Sequence, residues 1–140
     1  MSLPTQLTDF EGVWSIWRRI EDTLGAQSGT FQGSANIAAD GENYVYGERG
    51  TLTLETGATF TSERRYIWRA AGPGRISAFF DDGRAFHEIA LDGPTDATHL
   101  CPPDTYRVAY DFAAWPIWRA TWQVTGPRKD YRMTATYQRA

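Results

Sequence analysis

The chain of 140 residues is poor in the residue types that most often carry catalysis or bind metals. It has one cysteine, Cys101, and two histidines, His87 and His99. One cysteine excludes an internal disulfide, the usual staple of small secreted domains. No Gly-x-Ser-x-Gly, Cys-x-x-Cys, His-Glu-x-x-His or phosphate-loop pattern is present. These absences argue against an enzyme and leave catalysis as an alternative.

The chain also lacks an excess of positive charge and has no long apolar run. The formal net charge is −3 and no basic run occurs, which argues against a nucleic-acid partner. No apolar stretch reaches the length of a membrane span. The first residues, Met1-Ser2-Leu3-Pro4, lack the charged and apolar regions of a signal peptide. We therefore expect a cytoplasmic, bacterial or eukaryotic protein without a membrane span.

Aromatic residues, by contrast, are abundant: six Trp, seven Tyr and seven Phe. In the last third of the chain large apolar residues occupy every second position, as in Tyr106, Val108, Tyr110 and Phe112. Neighbouring residues of a strand point to opposite faces of its sheet, so this alternation predicts strands with one enclosed face and one wet face. Aromatic side chains favour strands and also line ligand pockets.

Turn-forming residues recur about every 8–12 positions, which is the spacing of an all-β barrel or sandwich. We predict one domain, residues 1–140, folded as a closed antiparallel up-and-down β-barrel. A short N-terminal helical plug precedes it, capped by Thr8 or Asp9 and burying Leu7 and Phe10. The ten predicted strands are Val13–Asp22, Gly29–Ala38, Asn43–Glu55, Ala58–Ala70, Arg75–Asp81, Arg84–Leu91, Ala97–Cys101, Thr105–Ala113, Ile117–Thr125 and Asp130–Arg139.

The segment Phe10-Glu11-Gly12-Val13-Trp14 resembles the Gly-x-Trp signature of the calycin superfamily, which includes lipocalins, fatty-acid-binding proteins and nitrobindin-like barrels. The resemblance implies a Trp at the barrel floor with an arginine of a late strand, Arg139 or Arg132, packed over it. The chain also resembles a small bacterial domain family in which stretches similar to His99-x-Cys101-x-x-Asp104-x-Tyr106 recur. That second resemblance implies no activity.

The same alternation places charged residues on the enclosed face of the barrel. Arg18 follows Trp14 and Ile16 at every second position of the first predicted strand, while Glu48 and Arg64 fall on the aromatic faces of the third and fourth. A buried charge must be paired, hydrated or bound by a ligand. Two interpretations remain open. In the first, Arg18 and Glu48 form an internal ion pair and Arg64 is hydrated at the barrel mouth. In the second, Arg64 and Arg18 together form a clamp that binds the carboxylate or phosphate of a ligand.

The clamp interpretation predicts that the protein binds a small amphipathic, anionic molecule in its cavity. Arginine suits bidentate contacts with carboxylates and phosphates, and aromatic walls suit an apolar tail. This resembles how fatty-acid-binding proteins hold a lipid head group. Arg64 and Arg18 would hold the head group, and the tyrosines would donate hydrogen bonds. The predicted ligand-binding residues are Arg18, Tyr44, Tyr46, Glu48, Arg64, Tyr66, Trp68, His87, His99, Tyr110, Trp118 and Trp122.

Two alternatives use other features of the sequence. A hairpin centred on Pro94 would bring His87, His99 and Cys101 together as a zinc or haem site, or as the centre of a small enzyme with Glu48 as its base. The final strand offers Tyr131 and Tyr137 where nitrobindin-like proteins carry a haem-ligating histidine, so the resemblance does not supply haem. The second alternative is a protein-interaction module with a filled barrel, whose apolar outer residues Trp17, Ile67, Phe79 and Ile117 would form a homodimer or partner interface if contiguous.

Overall fold

A computed structural model describes residues 3–25, 27–92 and 96–140. This part of the chain forms one 3₁₀ turn and ten antiparallel strands, within one or two residues of the predicted bounds. The turn is Leu7–Phe10. The strands are β1 (Gly12–Asp22), β2 (Gly29–Asp40), β3 (Asn43–Leu54), β4 (Thr59–Ala70), β5 (Arg75–Phe80), β6 (Ala85–Ala90), β7 (Asp96–Cys101), β8 (Asp104–Asp111), β9 (Trp118–Gly126) and β10 (Lys129–Arg139).

The strands form a single curved sheet that wraps into a nearly closed barrel. The hydrogen-bonded order is β6-β5-β4-β3-β2-β1-β10-β9-β8-β7, so the first and last strands pair in the middle of the sheet. Within the described residues no ladder joins β6 to β7, which corrects the prediction of a fully closed barrel. The predicted turn at Gly93-Pro94-Thr95, between these two strands, lies outside the described residues.

The N-terminal plug is shorter than predicted. It is a single 3₁₀ turn, and Asp9 stands inside it rather than at its cap, accepting a hydrogen bond from the Gln6 backbone N–H at 3.2 Å. Leu7 and Phe10 are nevertheless buried, as the sequence predicts. Phe10 packs edge-on against Trp68 and Trp118 at the barrel floor. A turn of this length covers the floor and does not enter the barrel as a helix would.

The Gly-x-Trp segment and the last strand form the floor of the barrel together. Trp14 is fully buried, and its indole N–H donates to the Phe10 carbonyl at 2.8 Å. The Arg139 guanidinium lies 3.9 Å above the Trp14 ring and donates to the carbonyls of Asp9 and Glu11 at 2.6 Å. Gly12 has φ +125°, and a Cβ there would lie 2.9 Å from Arg139 Nη1. The motif therefore needs glycine at this position, and of the two candidate arginines Arg139 covers the Trp.

The inward parity holds for β1 and fails at two other places. Trp14, Ile16 and Arg18 are buried as predicted. Phe60, which has the same inward parity as Arg64 on β4, is 53% exposed because it lies near the start of this strand, at the rim of the barrel. Phe86 has outward parity but is buried, because the β5–β6 register shifts between Ala78 and Phe79. A bulge of this kind turns two successive side chains toward one face.

The apolar residues predicted on the outer face are divided between two regions. Ile67 and Phe79 are cross-strand partners on β4 and β5. Trp17 is 45% exposed on β1, and Ile117 is 39% exposed just before β9. They are therefore not one patch. Among the described residues, no helix is long and apolar enough to cross a membrane.

Candidate functional site

A cavity of about 270 Å³ lies inside the barrel. In an up-and-down meander alternate turns share one end, so the turns after β1, β3, β5, β7 and β9 surround the mouth, opposite the floor. The lining residues come from nine of the ten strands, all except β2, and from the turn between β5 and β6. They are Arg18, Tyr46, Glu48, Arg64, Tyr66, Trp68, Phe80, Arg84, Phe86, His87, Cys101, Tyr106, Tyr110, Trp118, Ala120, Trp122, Tyr131, Met133 and Tyr137.

A buried ion pair crosses one wall of this cavity. Arg18 on β1 and Glu48 on β3 make a two-bonded contact, with Nη1 to Oε2 at 2.8 Å and Nη2 to Oε1 at 2.9 Å. Desolvation alone would raise the pKa of Glu48, but the hydrogen bonds and charge of Arg18 lower it below its usual value. The two charges therefore neutralise each other, as in the ion-pair interpretation of the sequence.

Two tyrosines extend this pair into a hydrogen-bonded chain. The Tyr46 hydroxyl lies 2.6 Å from Glu48 Oε1 and 2.8 Å from the Tyr137 hydroxyl. Burial raises the pKa of both tyrosines, so both are neutral. Because the carboxylate only accepts, Tyr46 donates to Glu48 and Tyr137 donates to Tyr46. The Tyr46 hydroxyl is therefore occupied by Glu48, and the Tyr137 hydroxyl is occupied by Tyr46.

Two further arginines line the cavity towards its mouth. Arg64 is the cross-strand partner of Glu48, and its side chain both lines the cavity and is exposed to solvent. Within the described part of the chain, no carboxylate lies within ion-pair distance of Arg64, whereas Arg84 pairs with Asp82 at 2.7 Å. Because Arg18 neutralises Glu48, the charge of Arg64 makes the cavity positive overall.

The opposite wall carries a neutral histidine. His87 Nε2 lies 2.8 Å from the Tyr110 hydroxyl, and its Nδ1 is buried without a hydrogen-bond partner in the described chain. Burial, helped by the charge of His99, lowers the pKa of His87 to about 4. At neutral pH His87 is therefore an uncharged hydrogen-bonding group.

The low pKa of His87 predicts a loss of stability in weak acid. The unfolded chain binds this proton near the usual pKa of 6.5, whereas the folded chain binds it only near pH 4. The stabilisation is therefore complete above pH 6.5 and falls as the pH decreases. Between about pH 7 and about pH 5 we expect the His87 contribution to fall by about 2 kcal/mol.

Chemical denaturation at several pH values measures this slope. The variant His87→Gln retains a hydrogen-bonding side chain and has no imidazole to titrate, so its unfolding free energy should change less over the same range. Equal slopes for the two proteins would contradict the assignment. The range stays above the region where Glu48, whose pKa is lowered, begins to lose its contribution.

Aromatic rings form most of the cavity wall. Phe86 stacks against Tyr66, Phe80 and Trp122, with interplanar angles of 29°, 23° and 17°. At the floor, Trp118 and Tyr137 are parallel within 1° and 3.8 Å apart. Much of the cavity wall thus consists of flat ring faces, with charged groups on one side.

The structure brings together most of the ligand-binding residues predicted from the sequence. All of them line the cavity except Tyr44 and His99. Tyr44 packs at the edge of the core, and His99 contacts the rings of Phe80 and Phe86.

Sequence reasoning missed several other lining residues. Tyr137, Tyr131 and Met133 share the inward face of β10, and Tyr106, Ala120 and Phe80 also have inward parity, so the alternation contained their signal. The alternation gave no signal for Phe86, because the bulge reverses the parity of this residue. Arg84 follows a turn, where alternation gives no information.

The His/Cys alternative does not form a compact cluster. Cys101 is exposed and lines the cavity, but His99 does not line it. In the described ranges, no group of three His, Cys, Asp or Glu side chains is arranged to hold a metal ion. The predicted hairpin register that placed His87 opposite Cys101 is not formed, because no ladder joins β6 to β7 in the described residues.

Solved structures with a similar fold differ strongly in sequence. The S-type phycobiliprotein lyase CPES from Guillardia theta is 10% identical, with a TM-score of 0.58 over 95% of this chain and 89% of the lyase. A second structure, EF1p2_mFAP2b bound to DFHBI, is 12% identical, with a TM-score of 0.42 over 93% of each chain. The first likeness supports the barrel fold alone.

The family of the chain follows from its sequence. No curated protein matches it significantly. A family model described as "Family of unknown function (DUF6314)" matches residues 10–139, from the floor residue Phe10 to the arginine that covers Trp14. The chain therefore belongs to the DUF6314 family.

Proposed function

We propose that this protein binds a small, anionic, amphipathic molecule in its barrel cavity. The observation that carries the proposal is the charge balance of the lining. Arg18 and Glu48 satisfy each other, and Arg84 is paired with Asp82, so Arg64 remains as the charge for which no carboxylate partner is described. An anionic group bound at the mouth would neutralise Arg64 and balance the charges of the lining.

The geometry of the cavity supports the same proposal. Apolar rings lie below Arg64, so an anionic group at the mouth would leave the rest of the molecule between aromatic walls. The volume of about 270 Å³ is close to the lower end of the range for small-molecule sites. An enclosed apolar pocket with a few polar groups is the usual form of such sites.

The roles of the individual residues follow from their contacts. Arg64 would bind the anion, while Arg18 is held and neutralised by Glu48. Tyr66, which interacts with Arg64, would position that guanidinium. His87 and Tyr110 would offer polar contacts on the other wall. Trp68, Trp118 and Trp122 would contact the apolar part.

The variant Arg64→Ala tests the proposal when anionic and neutral forms of one probe are compared. We would titrate 2-naphthoate and 2-naphthamide, and decahydro-2-naphthoate with its amide, by isothermal calorimetry. Because Arg64 is partly solvated, its contact with the anion should be worth about tenfold in affinity. We expect Arg64→Ala to weaken the carboxylates about tenfold and to leave the amides nearly unchanged.

The exposed Arg65→Ala provides the matched control, because Arg65 is the next residue on β4 and pairs outside the cavity with Asp81. Arg65→Ala should change the affinity for neither the carboxylate nor the amide form of each probe. Equal losses for acid and amide in Arg64→Ala would refute the head-group role. Equal affinity of acid and amide for the unmodified protein would refute the preference for an anion.

A further inference from the structure

The chemistry of the cavity wall restricts the ligand beyond its charge. Most of the lining residues are Phe, Tyr or Trp, and the aliphatic ones in the described chain are Ala120 and Met133. A pocket for an alkyl chain or a saturated ring system can be lined by branched aliphatic side chains, which adapt to its uneven surface. Here the surfaces are flat faces and edges of rings.

The rings around Phe86 present both faces and edges. Phe86 on β6 is within 29° of parallel with each of Tyr66, Phe80 and Trp122, while Tyr66 and Phe80 stand at 52° to each other and the His87 ring meets Phe86 edge-on. Rings prefer offset-stacked or edge-to-face neighbours, and a flat guest can meet both kinds of surface at once. A thick saturated guest cannot approach parallel faces as closely.

The volume sets the size of the guest. An apolar cavity of about 150 Å³ holds benzene. The present cavity of about 270 Å³ therefore has room for two fused or linked rings. A guest of this size that contacts the rings and also reaches Arg64 at the mouth would carry its acidic group at one end.

We infer that the natural ligand is a planar aromatic acid of about two rings, held between the aromatic walls with its carboxylate or other anionic group at Arg64. This inference rests on the proposed function and adds the shape and electronic character of the apolar part. Aromatic contacts add a contribution beyond the area they bury. Planar guests should therefore bind more tightly than saturated guests of the same skeleton.

The four probes described above separate the two claims. Each saturated probe has the same carbon skeleton as its aromatic counterpart and differs in planarity and π electrons. We expect 2-naphthoate to bind at least about tenfold more tightly than decahydro-2-naphthoate, which corresponds to about 1.4 kcal/mol. The two amides should show the same ratio, because the aromatic contribution is independent of the charge.

A wall variant provides a second test. Trp122 is partly buried and stacks on Phe86, so Trp122→Leu removes a flat surface and keeps an apolar side chain. It should reduce the tenfold preference for the planar acid to nearly one. The exposed Trp17→Leu on the outer face is the control and should leave the preference unchanged. Circular dichroism and thermal unfolding would verify that each variant is folded.

The outcomes distinguish failure of the inference from failure of the proposed function. If both acids bind equally and both exceed their amides, the planar class is wrong and the anion-binding function remains. If naphthoate and naphthamide bind equally and both exceed the saturated probes, the planar class holds and the anion preference is wrong. If none of the four probes binds, both claims are wrong.

Discussion

Replacement of Glu48 by leucine should destabilise the barrel by about 3–5 kcal/mol, because it leaves the Arg18 guanidinium buried without its counter-charge. The two side chains are 2% and 11% exposed, so water cannot readily replace the lost partner. The Tyr46 hydroxyl would also lose its acceptor at 2.6 Å. Chemical denaturation at neutral pH, with the free energy of unfolding as the readout, measures the loss.

The double variant Arg18→Met/Glu48→Leu is the matched control. It removes both charges and keeps apolar volume, and replacement of a whole buried pair is often neutral. We expect it to recover most of the stability lost in Glu48→Leu, and Arg18→Met alone to be as harmful as the single change at Glu48. If either single variant lost less than about 1 kcal/mol, the pair would behave as a hydrated surface contact.

The variant Ala120→Leu should abolish binding in the cavity and leave the barrel folded. Ala120 is buried on β9 and lines the cavity, opposite the small side chain of Ala135 on β10. A leucine at this position would project into the space that a ligand needs. Binding of 2-naphthoate should become undetectable by calorimetry, at a cost of about 1–3 kcal/mol in stability if the core must adjust.

The adjacent change Thr121→Leu controls for the new leucine itself. Thr121 has the opposite parity on β9 and does not line the cavity, so naphthoate should bind this variant as it binds the original protein. Unchanged affinity in Ala120→Leu, with its fold verified by circular dichroism, would place the binding site outside the cavity. A loss in both variants would indicate a general change in the barrel.

Local sequence signals predicted the strands well, because each strand ends at residues that fit turns. Asp82-Gly83 separates β5 from β6, and β9 ends at Gly126, directly before Pro127. Alternation then gave the buried position of Arg18 and Glu48 and most of the cavity wall. These features depend on a period of two and on neighbouring residues alone.

Features that depend on distant parts of the chain were not predictable in this way. The register shift near Phe79 reverses the parity of Phe86, and no local pattern marks it. The missing ladder between β6 and β7 depends on how far the whole sheet curls. Alternation placed Arg18 and Glu48 on the same face, but whether they pair depends on the β1–β2–β3 register, so the sequence left both interpretations of Arg18 open.

The pairing of β1 with β10 has a consequence for the order of folding. Every other ladder joins strands that follow one another in the chain, whereas this one joins its two ends, and the Arg139 contact with the Glu11 carbonyl spans 128 residues. Hairpins form early because their loops are short, while a contact between the chain ends pays the largest loop-closure entropy. Arrival of the last strand beside the first would therefore limit the folding rate. The contact of the Arg139 guanidinium with the Trp14 ring would then form after the transition state, and it would stabilise the protein mainly by slowing unfolding.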